Sequence, residues 1–228
     1  MKDASAASQD KSAIRDAASI VLLRDIAERP RILMGQRGAG AAFMPRKFVF
    51  PGGAVDAGDA HVPLAGPVSD PCARRLAEGG GRPDALAAAA IRELWEETGL
   101  MLGTPGAWPS PPADWQDFAA QGVVPAPQGL TYFFRAITPP GRPRRFDARF
   151  FLADAARVMG NPDVFGAAQE ELANLQWIEL DAARRLDLPF ITEVVLAELA
   201  AMLERGIPPE SVPFFDNAEG QSRFLRII

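Results

Sequence analysis

The chain has little of the chemistry on which thiol enzymes and zinc proteins depend. Its 228 residues include one cysteine, Cys72, and one histidine, His61. A single cysteine excludes an intrachain disulfide and fits a reducing compartment, so we expect a cytoplasmic protein. These counts also exclude zinc sites built from several cysteine and histidine ligands. Acid–base chemistry must therefore come mostly from carboxylates.

Long apolar runs and an excess of positive charge are missing as well. No stretch of about 18 uninterrupted apolar residues occurs, so no membrane span is expected. The N-terminus also lacks the apolar region of a secretory signal. A net charge of -5 argues against a general affinity for nucleic acid or anionic membranes. The hydrophobic fraction of 48% is nevertheless sufficient for a sizeable core.

The pattern of apolar residues predicts a single α+β domain. Strands are expected at 18–24, 31–37, 48–50, 130–137, 145–152 and 175–180, and helices at 84–98, 113–120 and 189–204. Because strands and helices do not alternate regularly, the order indicates helices packed around a mixed sheet. We interpret 1–16 as a flexible tail and 17–228 as the domain, which ends in a helical C-terminal extension.

A Pro/Gly-rich insertion is expected at about 60–83. Its composition suggests a surface excursion that shapes substrate access, with a short helix at 70–78. The other Pro-rich segment, 103–112, and the C-terminal segment are interpreted as apolar walls for a long substrate arm.

The sequence RELWEETGL predicts a helix that carries three carboxylates on one face: Glu93, Glu96 and Glu97. Ala89 and Ala90 fall on the same face and are expected to leave it open. Like charges at this spacing repel by a few tenths of a kcal/mol per pair, so the crowding invites a cation. Hard oxygen ligands select Mg²⁺ or Mn²⁺. A merely solvated acidic face is the alternative.

A second informative segment, FPGG, ends at Gly53. Two glycines allow a backbone carbonyl to approach a metal or phosphate without obstruction by a Cβ atom. An ordinary turn would have the same sequence, so the segment is informative only in combination with the carboxylate helix.

In combination, the two segments resemble the Nudix box, G-x5-E-x7-R-E-U-x-E-E-x-G-U, in which U is a bulky aliphatic residue. The second half matches at every position from Arg92 to Leu100. The first half departs from the pattern, because six residues after Gly53 stands Asp59 and eight residues before Arg92 stands Asp84. Either aspartate is a candidate for the first acidic position, and we interpret the box as split by the insertion.

The resemblance implies an α/β/α sandwich with a mixed sheet, dependence on Mg²⁺ or Mn²⁺, and pyrophosphatase activity on a nucleoside diphosphate linked to another moiety. It implies that the catalytic set is Glu93 as general base, Arg92 and Glu97. It also implies these metal ligands: the Gly52 carbonyl, Glu93, Glu96, Glu97 and the loop residue Glu171. Glu170 is a near-equal candidate for the last position, and a solvated loop acid is the alternative to both.

Arginine and phenylalanine residues are the candidates for substrate binding. Guanidinium groups suit phosphate oxygens and phenyl rings can stack on a base, which points to Arg37, Phe50 and Arg145. Arg144 and Arg149 lie near Arg145 in the sequence. The expected partner is a small nucleoside diphosphate derivative, and the sequence leaves a homodimer open.

The split box, with FVFPGG and RRFDARFF, is similar to the Nudix branch that contains coenzyme A diphosphatases. This similarity predicts coenzyme A or an acyl-coenzyme A as substrate, although a longer coenzyme A signature is not evident because Arg46 replaces its glycine. ADP-ribose-like compounds and dinucleotides are alternative substrates. A non-catalytic Nudix-like nucleotide sensor is the alternative function, but such modules usually lose a box carboxylate, and the three helix glutamates are all present.

Overall fold

A mixed nine-stranded sheet lies at the centre of the computed structural model, which describes residues 13–41, 44–166 and 172–228. The strands are β1 Ile14–Arg24, β2 Arg31–Arg37, β3 Phe48–Val49, β4 Gly52–Ala54, β5 Gly103–Pro105, β6 Val123–Pro125, β7 Thr131–Ile137, β8 Arg145–Asp154, β9 Leu172–Glu179, β10 Val212–Asp216 and β11 Arg223–Ile227. The helices are α1 Asp70–Glu78, α2 Pro83–Thr98, α3 Gln116–Ala120, α4 Leu180–Ala183 and α5 Phe190–Arg205.

The sheet runs in the order β11-β10-β7-β8-β1-β2-β3, while β4 pairs with β1 and β9 with β2. β1 is parallel to β8 and β10 is parallel to β7, whereas the other pairs in this sheet are antiparallel. Strands β5 and β6 form a separate two-stranded ladder.

Alternation along β1 divides the core into two layers. Ile20 and Leu22 pack with residues of α1 and α2 on one side of the sheet, whereas Val21 and Leu23 pack with α5 on the other. Side chains of a strand alternate between the two faces, so one strand supplies both layers. The predicted α/β/α sandwich with a mixed sheet is confirmed.

Helix α2 agrees with the predicted helix to within one residue. It ends at Gly99, which takes the left-handed conformation (φ 76°) and donates its N–H to the carbonyl of Trp95. The expectation that Ala89 and Ala90 leave an open face is wrong, because both are fully buried. The prediction assumed a solvated outer face, whereas α1 and the 3₁₀ turn Ala57–His61 also pack against α2.

The insertion at 60–83 is more than a surface excursion, because three of its side chains enter the core although most of its residues are exposed or half-buried. Val68, Cys72 and Leu76 are buried in the core layer around α2. The backbone carbonyl of Gly79, just after α1, accepts hydrogen bonds from the guanidinium groups of Arg135 and Arg149. The short helix predicted at 70–78 is present as α1, and its buried positions Cys72 and Leu76 complete the core.

Two strand features differ from the sequence predictions. β1 starts at Ile14 and pairs with β8 from that residue onward, so the interpretation of 14–16 as part of a flexible tail is wrong; residues 1–12 lie outside the described chain. The hairpin of β10 and β11 was not predicted, because much of β11 is exposed and its apolar pattern is weak. In the described residues, no helix is long and apolar enough to cross a membrane.

Candidate active site

Strand β4 brings the glycine segment alongside the carboxylate helix. It pairs antiparallel with β1, with Gly52 opposite Ser19 and Gly53 opposite Ala18. A Cβ atom on Gly53 would lie 2.4 Å from Oε1 of Glu93, a separation that real Cβ atoms essentially never show. Glycine at 53 therefore allows the close approach of the Glu93 carboxylate, which any larger residue would displace.

Arg92 connects the acidic side chains of this region. Its Nη1 donates to Oε1 of Glu93 at 3.0 Å and to Oε2 of Glu96 at 2.9 Å. Its Nε and Nη2 donate to the two carboxylate oxygens of Asp59 at 3.0 and 3.1 Å, and Nη2 also donates to the carbonyl of Ala54 at 2.9 Å. The five N–H groups of the guanidinium thus match five acceptor contacts.

Asp59 and Asp84, the two candidates for the first acidic position, have different surroundings. Asp59 is 2% exposed and forms the bidentate pair with Arg92, whereas Asp84 is exposed in the first turn of α2. The spacing from Gly53 was therefore the informative one, because the insertion follows Asp59.

Burial and charge shift the pKa values of this cluster. Burial opposes the charged form of Arg92, but the hydrogen bonds with Asp59 and the charges of Glu93, Asp59 and Glu96 raise its pKa above the ordinary value. Burial also raises the pKa of Glu96, against the opposing effect of Arg92. Four carboxylates form ion pairs with the Arg92 guanidinium, namely those of Asp56, Asp59, Glu93 and Glu96. They leave a formal excess of three negative charges, which favours a cation.

Glu97 is buried, and its Oε2 accepts the N–H of Gly52 at 2.8 Å. Within the described parts of the chain, no three acidic, histidine or cysteine side chains converge into a compact ligand set. Arg92 lies between the Glu93 and Glu96 carboxylates, which accounts for their separation. The donor chemistry nonetheless fits a hard divalent cation, because the cluster presents carboxylate oxygens and an excess of negative charge.

A cleft of about 320 Å³ opens beside Glu93, on the α5 side of the sheet. Its walls include Gly52, Gly53 and Glu93, and three basic side chains also line it: Arg15, Arg37 and Arg144. Aromatic rings supply much of the apolar lining, namely Phe50, Phe146 and Phe150. Phe50 is buried and packs edge-on against Phe150, with ring centroids 6.4 Å apart. The cleft thus combines sites for anions with apolar surface next to a carboxylate.

No protein-family model matches the chain. By sequence it is 29% identical over 181 residues to a Caenorhabditis elegans protein provisionally named nudix hydrolase 7, a match that covers 74% of this chain. The match covers 52% of that protein, so the chain spans about half the length of the curated relative. A NUDIX hydrolase structure from Alicyclobacillus acidocaldarius matches with a TM-score of 0.61 and 28% identity, covering 84% of this chain and 93% of that one.

The chain has the Nudix fold. The NUDIX domain of Shewanella oneidensis NrtR, solved in complex with ADP ribose, shares that fold with a TM-score of 0.50 and 12% identity, covering 83% of this chain and 88% of that one. The sequence relative and the Alicyclobacillus structure together support the Nudix hydrolase family.

The structure brings most of the Nudix-box candidates together. Arg92 is hydrogen-bonded to both Glu93 and Glu96, while the Gly52 N–H is hydrogen-bonded to Glu97. Glu171 and Glu170 lie outside the described residues.

The three candidates for substrate binding do not all line the cleft. Arg37 and Phe50 line the cleft, but Arg145 does not and its guanidinium donates to backbone carbonyls, including those of Thr138 and Ala218. Alternation explains the error, because Phe146, Ala148 and Phe150 face the cleft and the intervening residues face the other side. On that side Arg149 is buried and pairs with Asp147.

Other cleft predictions also need correction. Among the described residues, neither the insertion at 60–83 nor the Pro-rich segment 103–112 contributes to the cleft lining, and nor does the segment after α5. The Pro-rich connection instead packs near the acidic cluster, where Gly58 approaches Pro112.

Three residues of the site could not be predicted from the sequence. Arg15 was placed in the tail, and Arg144 was noted but not chosen. Trp115, whose indole N–H donates to Oδ1 of Asp59 at 3.0 Å, carried no signal because 56 positions separate it from its partner.

Proposed function

We propose that this chain is a divalent-metal-dependent hydrolase that cleaves a phosphoanhydride bond in a nucleoside diphosphate linked to another moiety. The observation that carries the proposal is the position of Glu93, which contacts Arg92 in the acidic cluster and also lines the arginine-bearing cleft. A diphosphate bound by those arginines would lie beside the carboxylates. The likeness to proteins named Nudix hydrolases supports the same reaction class.

Mg²⁺ or Mn²⁺ is the proposed cofactor, with Glu93, Glu96, Glu97 and the Gly52 carbonyl as ligands. When bound, such an ion neutralises diphosphate charge and lowers the pKa of a coordinated water. Glu93 is the proposed general base, because its carboxylate borders the cleft. Arg92 fixes the Glu93 and Glu96 carboxylates by charge-assisted hydrogen bonds.

Arg15, Arg37 and Arg144 are the proposed phosphate contacts, since guanidinium groups match phosphate oxygens bidentately. Phe146 is the proposed stacking surface, because it lines the cleft and is only half-buried, whereas Phe50 is buried in the wall. Glu171 remains a proposed metal ligand.

Within this class, coenzyme A or an acyl-coenzyme A is the proposed substrate. The support is the split box, whose halves are separated between Asp59 and Asp84 as in the branch that acts on coenzyme A derivatives. Neither 103–112 nor the segment after α5 is proposed to contact the substrate arm, because neither lines the cleft in the described part of the chain. A reducing, cytoplasmic location is proposed from the single cysteine.

One screen tests both levels of the proposal. The protein is incubated with coenzyme A, an acyl-coenzyme A, ADP-ribose, a dinucleotide and several nucleoside triphosphates, with Mg²⁺ or Mn²⁺, and the products are identified by mass. Reaction in ¹⁸O-labelled water identifies the attacked phosphorus from the product that carries the label.

Glu93→Gln should reduce turnover by about a hundredfold or more, as expected for loss of a general base. Glu78→Gln, an exposed glutamate on α1, is the matched control and should leave turnover unchanged. Nucleotide binding without hydrolysis of any compound would favour the sensor alternative. Preference for ADP-ribose, the dinucleotide or a triphosphate by more than about tenfold in kcat/KM, roughly 1.4 kcal/mol, would refute only the coenzyme A assignment.

A further inference from the structure

We propose that Trp115 is a positioning residue that acts through Asp59 and Arg92 to hold the Glu93 and Glu96 carboxylates in place. The inference rests on the proposed function, because it assigns Trp115 a role in that same site. Trp115 lies in the 3₁₀ turn Ala113–Trp115, outside both halves of the Nudix box.

The first step is the hydrogen bonding of Asp59. Its Oδ1 accepts from Arg92 Nε and from Trp115 Nε1, both at 3.0 Å. Its Oδ2 accepts from Arg92 Nη2 at 3.1 Å and from the backbone N–H of Asp56 at 2.9 Å. A carboxylate has about four acceptor positions, so Trp115 supplies one of the four donors that fix this group.

The second step is the transmission through Arg92. Because the guanidinium is planar, its bidentate contact with Asp59 sets the plane in which Nη1 meets Glu93 and Glu96. A rotation of the Asp59 carboxylate therefore moves the donor that both glutamates share. Trp115 itself contacts neither glutamate in the hydrogen bonds of the described residues.

The third step is the rigidity of the support. The Trp115 ring is fully buried and packs between Trp108 and Phe118, at centroid distances of 5.7 and 5.2 Å. Phe118 in turn packs edge-on against Trp95 of α2 at 5.9 Å. A Cβ on Gly58 would lie 3.2 Å from Pro112, so the turn that carries Asp59 lies close to this segment.

These contacts assign a role to the segment between β5 and β6. Trp108, Trp115 and Phe118 pack together beside the acidic cluster, and the indole N–H of Trp115 donates a hydrogen bond to Asp59. Loss of the N–H would leave a buried carboxylate oxygen with one acceptor position unfilled, which is costly when water has no access.

Trp115→Phe is the direct test, with Trp108→Phe as its matched control. Both changes keep an aromatic ring in the same cluster and both remove one indole hydrogen bond; that of Trp108 goes to the carbonyl of Val123 at 3.1 Å. We expect Trp115→Phe to lower kcat about tenfold with KM within about twofold, and to weaken Mn²⁺ binding, measured by calorimetry without substrate, about fivefold. Trp108→Phe should change neither quantity by more than about twofold.

Equal values of kcat and Mn²⁺ affinity for the two variants would overturn the proposal, as would wild-type values for Trp115→Phe. The calorimetric comparison does not require turnover, so it remains decisive if no substrate is hydrolysed and the proposed function fails.

A second measurement covers the case in which Trp115→Phe does not fold. The chain has four tryptophans, and Phe variants of the other three assign the Trp115 indole resonance by elimination. Adding Mg²⁺ to the wild-type protein should shift the Trp115 indole signal more than that of Trp108. An unmoved Trp115 signal at saturating Mg²⁺ would contradict the inference.

Discussion

At the scale of single residues, the acidic cluster depends on close approaches that few side chains permit. Gly53 lies against the Glu93 carboxylate, and the Gly52 N–H is bonded to Glu97. Arg92 is enclosed by acceptors and shields the glutamates from one another. The order of this site is therefore maintained by backbone geometry as well as by charge.

Gly53→Ala should displace the Glu93 carboxylate, because the new methyl group would lie 2.4 Å from Oε1. We expect kcat to fall at least about tenfold and stability to fall by about 1–3 kcal/mol, as for other overpacked sites. Steady-state kinetics and urea unfolding measure the two effects. Gly40→Ala is the control, since a Cβ there meets nothing within 4 Å. Equal kinetics for the two variants would contradict the geometry.

Glu97→Gln removes the negative charge of the side chain and keeps its shape. The glutamine oxygen can still accept the Gly52 N–H, so we expect stability within about 1 kcal/mol of wild type. Loss of a ligand charge should lower turnover by about a hundredfold or more. Wild-type turnover under saturating metal would remove Glu97 from the proposed ligands.

The sequence could predict the residues that are linked by local spacing. Glu93, Glu96 and Glu97 were predicted to share one helix face because an α-helix rotates by 100° per residue, and the RELWEETGL motif identified them as candidate ligands. Trp115 and Arg15 could not be predicted, because their relation to the site depends on how distant segments pack. Arg145 was chosen in place of Arg144, since the strand register was unknown.

At the scale of elements, the insertion helix α1 contributes to stability rather than to the cleft. Leu76 is 1% exposed in the core around α2. Leu76→Ala should therefore lower the free energy of unfolding by about 2–5 kcal/mol. Arg74→Ala, at an exposed position of the same helix, should change it by less than about 0.5 kcal/mol. Urea unfolding of both variants provides the measurement, and equal small effects would show that α1 is dispensable for the core.

The hairpin of β10 and β11 has a pH-sensitive contact. Burial favours the neutral form of Asp216, but the Ala218 N–H and the Arg223 guanidinium outweigh it and lower the pKa below the usual 3.8. Because the folded pKa is the lower one, the stabilisation is present at neutral pH and is lost as pH falls below about 3.8 toward the folded value.

Asp216→Asn should thus destabilise the protein at pH 7, and the difference from wild type should shrink by pH 3. Urea unfolding at the two pH values tests this expectation. A difference of the same size at both would contradict it.

Elements with strong local signals were the easiest to predict. The capped, alanine-rich sequence of α2 and the apolar stripe of α5 each gave boundaries within one residue. The hairpin of β10 and β11 was missed because its strands are held by pairing with β7 and with each other. Pairing with a distant strand leaves little trace in a local pattern.

At the scale of the whole molecule, the side chains that line the cleft include a positive group although the net charge of the chain is negative. The chain has a net charge of -5, yet three arginines line the cleft: Arg15, Arg37 and Arg144. The negative net charge would repel the proposed diphosphate substrate at long range, whereas the three guanidinium groups would attract it within the cleft. The net charge follows from composition alone, whereas the arginine-lined cleft depends on strands β1, β2 and β8 being assembled in one sheet.

The arginine-lined cleft should make substrate binding sensitive to salt. The Debye length falls from about 10 Å at 0.1 M salt to about 3 Å at 1 M, so attraction between the cleft arginines and a diphosphate weakens. We expect KM to rise at least about threefold between about 0.05 and 0.5 M NaCl while kcat changes little, because Glu93 and its partners are largely buried.

Arg144→Gln should raise KM at low salt and flatten this dependence. Arg205→Gln, an exposed position outside the cleft lining, is the control. A KM independent of salt, or the same salt dependence in Arg144→Gln as in wild type, would show that these guanidinium groups do not bind the substrate phosphates.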